Sequence, residues 1–204
     1  MTDYVDYLAR FERIILAFEV LGVAVVGLLW GSFLNVCIYR LPIYRLIFYP
    51  LYSFCPTCGK PIRWYDNVPV LSYLLLRGRC RSCAATISPR YVLVELLTAV
   101  VVVAAFLKLT VVDGEPLAFL AVQCAILSAL IVATVTDFEH TIIPDEISVG
   151  GALLAPLVSF AYPLMHRTVW LQGSPHWNAL VVSLFSLAVC AALIYAIGFL
   201  GKLL

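Results

Sequence analysis

The sequence predicts an all-α polytopic membrane protein with a small zinc-ribbon-like domain inserted after its first helix. Three observations carry that prediction. Hydrophobic residues fill 63% of the 204 positions and charged ones 12%, against about 45–50% and about 25% in a soluble domain. Five apolar runs, at 14–36, 91–112, 117–135, 147–165 and 178–200, are close to the roughly 20 residues that a membrane-spanning helix needs. Four of the seven cysteines form two C-x-x-C pairs inside the one long polar stretch, 40–90. Unbroken runs rich in Leu, Ala and Val favour helices over a barrel, whose strands alternate polar and apolar positions.

The first thirteen residues hold Asp3, Asp6 and Glu12 beside Arg10 and Arg13, which is not the basic start of a cleavable signal peptide. Tyr4, Tyr7, Leu8 and Phe11 recur at i, i+3, i+4, i+7, the pattern of an amphipathic helix lying on the membrane surface. The expected organisation is this interfacial helix at 1–13, a first span at 14–38, a polar domain at 39–90 and a membrane domain at 91–204.

The polar stretch orients the rest. It holds eight of the thirteen basic residues and a single acid, Asp66, so the positive-inside rule places it in the cytoplasm. Counting spans then puts the N-terminus and the turns at 113–116 and 166–177 outside, and the segment 136–146 inside. The net charge is +1 and the basic loop is already explained by orientation, so no nucleic-acid partner is expected; membrane lipid is. The aromatic run at 43–54 reads as an interfacial segment or as a loop packed on the metal module. The chain as a whole shows no internal repeat.

Cys55, Cys58, Cys80 and Cys83 are two knuckles with 21 residues between the pairs. Such knuckles bring four thiolates to one tetrahedral Zn²⁺. A reducing cytosol disfavours the alternative of two disulfides. Gly59 and Gly78 flank the pairs and allow tight turns. Cys37, Cys124 and Cys190 lie in apolar runs and read as small core residues.

Ionisable groups bordering a membrane are functional candidates. Asp137 follows an uncharged run by two residues; one further helical turn would place it inside the bundle, partly desolvated. Asp145 follows Pro144 and is expected to cap the next helix. Glu139, His140 and Glu146 read as solvated interface residues. Glu95 is expected to pair with Arg90 or another arginine of the polar stretch. Asn35 is expected to hydrogen-bond across helices, with Gly31 and Ser32 beside it permitting close packing.

Five stretches occur in a fixed order: "GSFLNVCIYRLP" at 31–42, the paired cysteines, "IRWYDNVPVLSYLLLRGRCRSC" at 62–83, "ISPRYVLVELLTA" at 87–99 and "TDFEHTIIPDEIS" at 136–148. Together they resemble the prepilin peptidases, the type IV leader peptidases of bacterial pili and type II secretion, from about residue 22 onward. Val92 replaces a proline usual in that family. The resemblance implies a membrane aspartic peptidase of the bacterial inner membrane. Such enzymes cleave the basic leader of prepilins and pseudopilins after a glycine at the cytoplasmic face. Many also methylate the new N-terminus with S-adenosylmethionine. It implies that Asp137 is the first catalytic aspartate, that the four cysteines hold the family's zinc, and that Gly78 occupies a position linked to methylation. The second aspartate of the family lies in a later Gly-x-Gly-Asp. No acid follows Glu146 here, so these 204 residues alone are expected to lack peptidase activity. A non-catalytic membrane scaffold with a structural zinc domain is the competing reading.

Overall fold

A computed structural model describes residues 2–44, 52–163 and 174–203. Its secondary structure is helical, with two isolated β-bridges among the described residues. Two units divide the chain, residues 1–143 and 144–204.

The first unit begins with α1, Thr2–Tyr44, 43 residues without a break. At 1.5 Å per residue it is about 65 Å long, well beyond one bilayer crossing. The interfacial helix expected at 1–13 and the span expected at 14–38 are therefore one continuous rod, which also runs past the expected start of the polar domain at 39. Nothing between Arg10 and Ile15 breaks a helix, since neither glycine nor proline occurs there.

The polar domain contains one short helix, α2 (Leu71–Leu75), and after it α3 (Arg90–Ala105) continues as a wider π-helical turn, Phe106–Val112. Lys108, a cation inside this apolar run, reaches out to Asp113 at 2.7 Å, the behaviour of a long basic side chain near a span's end. Helix α4 covers Leu117–His140 and ends at Thr141, which adopts φ +54° and returns its N–H to the Asp137 carbonyl at 2.7 Å.

Helices α1 and α3 approach unusually closely. A Cβ on Gly31 would lie 2.7 Å from the Glu95 Cα, and one on Gly27 2.7 Å from the Ala99 Cα. Gly27 and Gly31 form a G-x-x-x-G stripe, the small-residue seam that lets spanning helices pack by their backbones. Leu34, Ile38 and Leu41 of α1 are buried, as are Val94, Thr98 and Ala99 of α3. The seam is also polar: Asn35 Nδ2 donates to the Tyr91 carbonyl at 2.9 Å, the interhelical bond expected of it. Farther along α1, Trp30 Nε1 donates to Ser128 Oγ of α4 at 2.8 Å. Gly31→Ala is expected to force the two helices apart and to cost about 1–3 kcal/mol. Gly22→Ala, whose added Cβ meets nothing within 4 Å, is expected to be neutral or to gain up to about 1 kcal/mol from helix propensity. Thermal melts of both variants in detergent, compared with the parent, provide the check.

In the second unit α5, Asp145–Ala161, packs against α6, Pro175–Leu203. His176 Nδ1 lies 2.7 Å from the Phe160 carbonyl, and the Phe160 and Trp177 rings meet edge to face. Asp145 is the first residue of α5 and makes no capping hydrogen bond; Pro144 takes the cap position in extended geometry. The expected capping role of Asp145 is thus corrected. Asp145 and Glu146 still place two carboxylates in the first turn, where the helix dipole favours them.

Among the described residues, four helices are long and apolar enough to cross a membrane: Arg10–Ile43, Arg90–Val112, Leu117–His140 and Pro175–Ile197. The expected fifth span, 147–165, overlaps α5 at 147–161; α5 itself has 17 residues, about 26 Å of helix, and the last two positions of the expected span lie outside the described residues. Large apolar side chains point outward along these helices; Leu153 is 70% and Ile194 72% exposed. Surfaces of that kind are stable in lipid. The chain is a multi-pass membrane protein.

Candidate functional site

The polar domain is built from one small structure used twice. Residues 53–62 and 78–87 repeat at an offset of 25, the separation of Cys55 from Cys80. Gly59 N–H bonds the Cys55 carbonyl at 2.8 Å and Ala84 N–H the Cys80 carbonyl at 2.9 Å. Cys55 N–H bonds the Lys60 carbonyl at 3.0 Å and Cys80 N–H the Ala85 carbonyl at 2.8 Å. Phe54 bridges Pro61, and Arg79 bridges Thr86. Each knuckle turns through a left-handed residue directly after its second cysteine, Gly59 at φ +68° and Ala84 at φ +57°. The repeated knuckle is visible in the sequence as "CPTCGKPI" and "RGRCRSCAATI", although the two ten-residue units share only the cysteine spacing and a closing isoleucine, Ile62 and Ile87.

The two knuckles bring Cys55, Cys58, Cys80 and Cys83 together, with all four Sγ atoms within 4.8 Å of one another. Cys55 and Cys83 sulfurs are 3.9 Å apart. A tetrahedral zinc–thiolate centre with bonds of about 2.3 Å has sulfurs about 3.8 Å apart, so the donor set fits that ion. The N–H groups of Cys58 and Thr57 and the neighbouring Cys80 and Cys58 thiols outweigh the burial of Cys55 and bring its pKa down to about 6. Cys83 accepts from the Ala85 N–H, yet desolvation and the three adjacent sulfurs push it up to about 11. Cys55 and Cys83 differ this widely because adjacent thiols compete to carry the first negative charge.

The segment between the knuckles is tied to both the ribbon and the membrane helices. Arg81, inside the second knuckle, grips Asp66 through Nη2 at 2.6 Å and Nε at 2.8 Å. These charge-assisted bonds hold the Asp66 carboxyl below its ordinary pKa. Val70 then sits at φ +60°, ψ −51°, and Leu71 N–H reaches the Pro69 carbonyl at 2.5 Å. That is a γ-turn of the rare, strained hand, centred on a β-branched residue. The Val70 N–H donates to Glu95 Oε2 at 2.8 Å. Glu95 is 7% exposed and also accepts from Ser32 of α1. The expected pairing of Glu95 with Arg90 or another arginine of the polar stretch is therefore corrected, since no basic side chain among the described residues pairs with it. Arg90 instead binds Glu139 of α4 and lies 4.6 Å from the Tyr91 ring centre. Position explains it: Glu95 faces α1 along the seam, whereas Arg90 opens α3 and faces the end of α4. Glu139, read from sequence as a solvated residue, is half of this ion pair.

Gly78 has φ +67°, and a Cβ there would lie 2.9 Å from the Tyr73 hydroxyl oxygen. The glycine is required both by its conformation and by the ring against it. Between the ribbon and the α1–α3 seam lies a cavity of about 710 Å³, lined among others by Asn35, Tyr39, Tyr73, Arg90, Glu95 and Glu139. Asn35 Oδ1 and Arg90 Nε are buried there without a hydrogen-bond partner among the described residues.

Asp137 lies in the last turn of α4, as the continued helix predicted. Its side chain is exposed, however, and the expected desolvation inside the bundle is corrected. Val132 and Thr136 occupy the inward stripe of α4 at 3% and 0% exposure, and the next residue is rotated about 100° away from it. Gly27, the Glu95–Val70 contact and the Arg90–Glu139 pair were not anticipated from the sequence. Only the first left a signal, the G-x-x-x-G spacing with Gly31.

Residues 25–109, which contain both knuckles, match the family model described as the bacterial peptidase A24 N-terminal domain. A relative from Myxococcus xanthus named "Prepilin leader peptidase/N-methyltransferase" is 41% identical over 140 residues, covering 69% of this chain and 39% of that protein. The chain belongs to the prepilin peptidase family. An Escherichia coli relative, "Type 4 prepilin-like proteins leader peptide-processing enzyme", is 41% identical over 73% of this chain and 56% of its own length. A Klebsiella pneumoniae relative with the same name as the first is 40% identical over 70% and 64%. The chain spans about half the length of these curated relatives. No solved structure matches it. In the terms of this family, the four-thiol ribbon and the α1–α3 seam fall inside the matched N-terminal domain, and Asp137 lies C-terminal to it.

Proposed function

We propose that the whole protein is a prepilin leader peptidase. It removes the basic leader of type IV prepilins and pseudopilins after a glycine, at the cytoplasmic face of the bacterial inner membrane. It then methylates the released amine with S-adenosylmethionine. The observation that carries the reading is the four-thiol cluster within the A24 N-terminal segment, in a chain whose relatives' names give both activities. The N-terminus is outside, and the ribbon at 39–90 and the segment around Asp137 are cytoplasmic, as the eight basic residues at 40–90 favour.

Cys55, Cys58, Cys80 and Cys83 hold a structural Zn²⁺, which fixes the ribbon when bound. With four protein ligands it has no open position for substrate. Peptide hydrolysis then falls to carboxylates. One takes a proton from water while the other, protonated, polarises the scissile carbonyl. Asp137 supplies one of the pair; the family's second aspartate belongs to a Gly-x-Gly-Asp motif, which does not occur in these 204 residues. The leader of a membrane-anchored substrate emerges at the depth where α4 ends, which is why an exposed carboxylate at that helix end is useful.

The test is to incubate membranes containing the whole protein with a prepilin and to read leader loss by gel shift and N-terminal methylation by mass spectrometry. An uncut leader refutes the peptidase reading. Gly78→Ala is expected to separate the two activities. The new methyl strains the turn and pushes Tyr73 into the cavity, so methylation falls at least about tenfold while leader removal continues. Equal loss of both activities would show that Gly78 serves only the ribbon fold.

A further inference from the structure

Charge pairing around the cavity leaves one group unanswered. Asp66 is held by Arg81 and Glu139 by Arg90. Glu95 is buried at 7% exposure, and its partners are two neutral donors, the Val70 N–H and the Ser32 hydroxyl. Among the described residues no basic side chain pairs with it. A carboxylate buried without a counter-charge is unstable by several kcal/mol, and an ionised one has acceptor positions for about four donors. One helical turn away along the same seam, Asn35 is 3% exposed and directs Nδ2 to the Tyr91 carbonyl, while its Oδ1 has no partner. Both residues line the cavity, as do the Tyr39 and Tyr91 side chains. The other basic residues that line the cavity are engaged elsewhere or face solvent: Arg40 is buried and donates to the Tyr52 carbonyl at 3.0 Å, Arg81 and Arg90 hold Asp66 and Glu139, and Lys60 and Arg63 are exposed.

We propose that this end of the cavity is a subsite for a ligand ammonium group, bound by the Glu95 carboxylate and Asn35 Oδ1. The chemistry follows from the residues. An ammonium has three donors and one positive charge, which answers a buried acceptor oxygen and a buried anion together, and aromatic faces add cation–π attraction. A neutral ligand leaves Glu95 without a counter-charge, and an anion is repelled by it. The source of the ammonium rests on the function proposed above. It is the new N-terminal amine of the cleaved pilin or the amino-acid end of the methyl donor.

Binding to the whole protein in nanodiscs distinguishes these. One arm uses a hexapeptide with a free, apolar N-terminal residue and its N-acetyl twin. The other uses S-adenosylmethionine and methylthioadenosine, which lacks the amino-acid end. Glu95→Gln is the main variant, because its amide oxygen still accepts the Val70 N–H. Asn35→Leu is the second, and zinc content with exchange protection of the Val70 amide reports whether each variant remains folded. If the peptide is the source, acetylation and Glu95→Gln each weaken its binding at least tenfold and leave the methyl donor unaffected. If the donor is the source, Glu95→Gln weakens S-adenosylmethionine at least tenfold and methylthioadenosine not at all. If the folded variants bind every ligand as the parent does, or if the parent binds none, the subsite does not exist and Glu95 serves only to clasp the Val70 turn. Leader removal and methylation are assayed separately, so this outcome leaves the peptidase reading untouched.

Discussion

Cys80→Ser is expected to release the metal and unfold the ribbon while the membrane helices stay folded. The ribbon has almost no hydrophobic core. Between residues 52 and 89 the only buried positions are Cys55, Pro69 and Gly78, and its two β-bridges are isolated. A module this small needs a staple, and a structural zinc supplies an apparent 10–16 kcal/mol, roughly, at neutral pH. Serine cannot replace a thiolate in that set. Elemental analysis of the parent should give one zinc per chain, and of Cys80→Ser or Cys58→Ser well under a tenth of that. The amides of Gly59 and Ala84, bonded across the knuckles, should lose their exchange protection, while far-ultraviolet dichroism changes little because α1, α3, α4 and α6 dominate it. Cys190→Ser, in α6, should keep its metal. The pH dependence has a definite sign. Uptake of the ion requires all four thiolates, and Cys83, pushed up to about 11, is still protonated at pH 7, whereas Cys55 at about 6 is not. Binding therefore displaces protons, and the apparent affinity falls as pH is lowered. Unchanged zinc content in both serine variants would remove the cluster from consideration as a metal centre.

What was legible in the sequence was whatever depends on spacing alone. Two C-x-x-C pairs give four converging sulfurs because each knuckle is closed by local hydrogen bonds. Apolar runs give helices because lipid leaves the backbone no other partner. Side-chain direction was less accessible. The continuation of α4 through Asp137 was read correctly, yet its orientation depends on which neighbours take the inward stripe, and Val132 and Thr136 do. Pairing was the least legible. Arg90 and Glu95 are five residues apart on one helix and looked like partners, but the first faces the end of α4 and the second faces α1. Nothing in the sequence foretold the γ-turn at Val70, since a β-branched residue is the worst local choice for φ +60°. It is held by a tertiary contact, Glu95, and backbone strain of this kind, about 1–3 kcal/mol, concentrates at functional sites.

Asp137→Asn is expected to abolish leader removal while leaving the protein slightly more stable. The two effects have separate causes. The Asp137 side chain is exposed and has no hydrogen-bond or ion-pair partner among the described residues. It stands in the last turn of α4, where the helix dipole is negative and a carboxylate is unfavourable by about 0.3–1 kcal/mol. The backbone carbonyl that accepts the Thr141 N–H is unchanged by the substitution. Neutralising this residue thus removes a repulsion and no contact, and a small rise in melting temperature should follow. A helix end has no structural reason to keep such a charge, which makes retention for function the physical alternative. In the whole protein, asparagine cannot act as a general base on water or share a proton with a second carboxylate. The cleavage rate should drop by roughly 10²–10⁴-fold or more, with zinc content and prepilin binding preserved. Glu139→Gln, which breaks the ion pair with Arg90, is the contrasting variant: it should lower stability and reduce the rate far less. Prepilin cleavage by Asp137→Asn at the parent's rate would assign the catalytic carboxylates elsewhere in the whole protein.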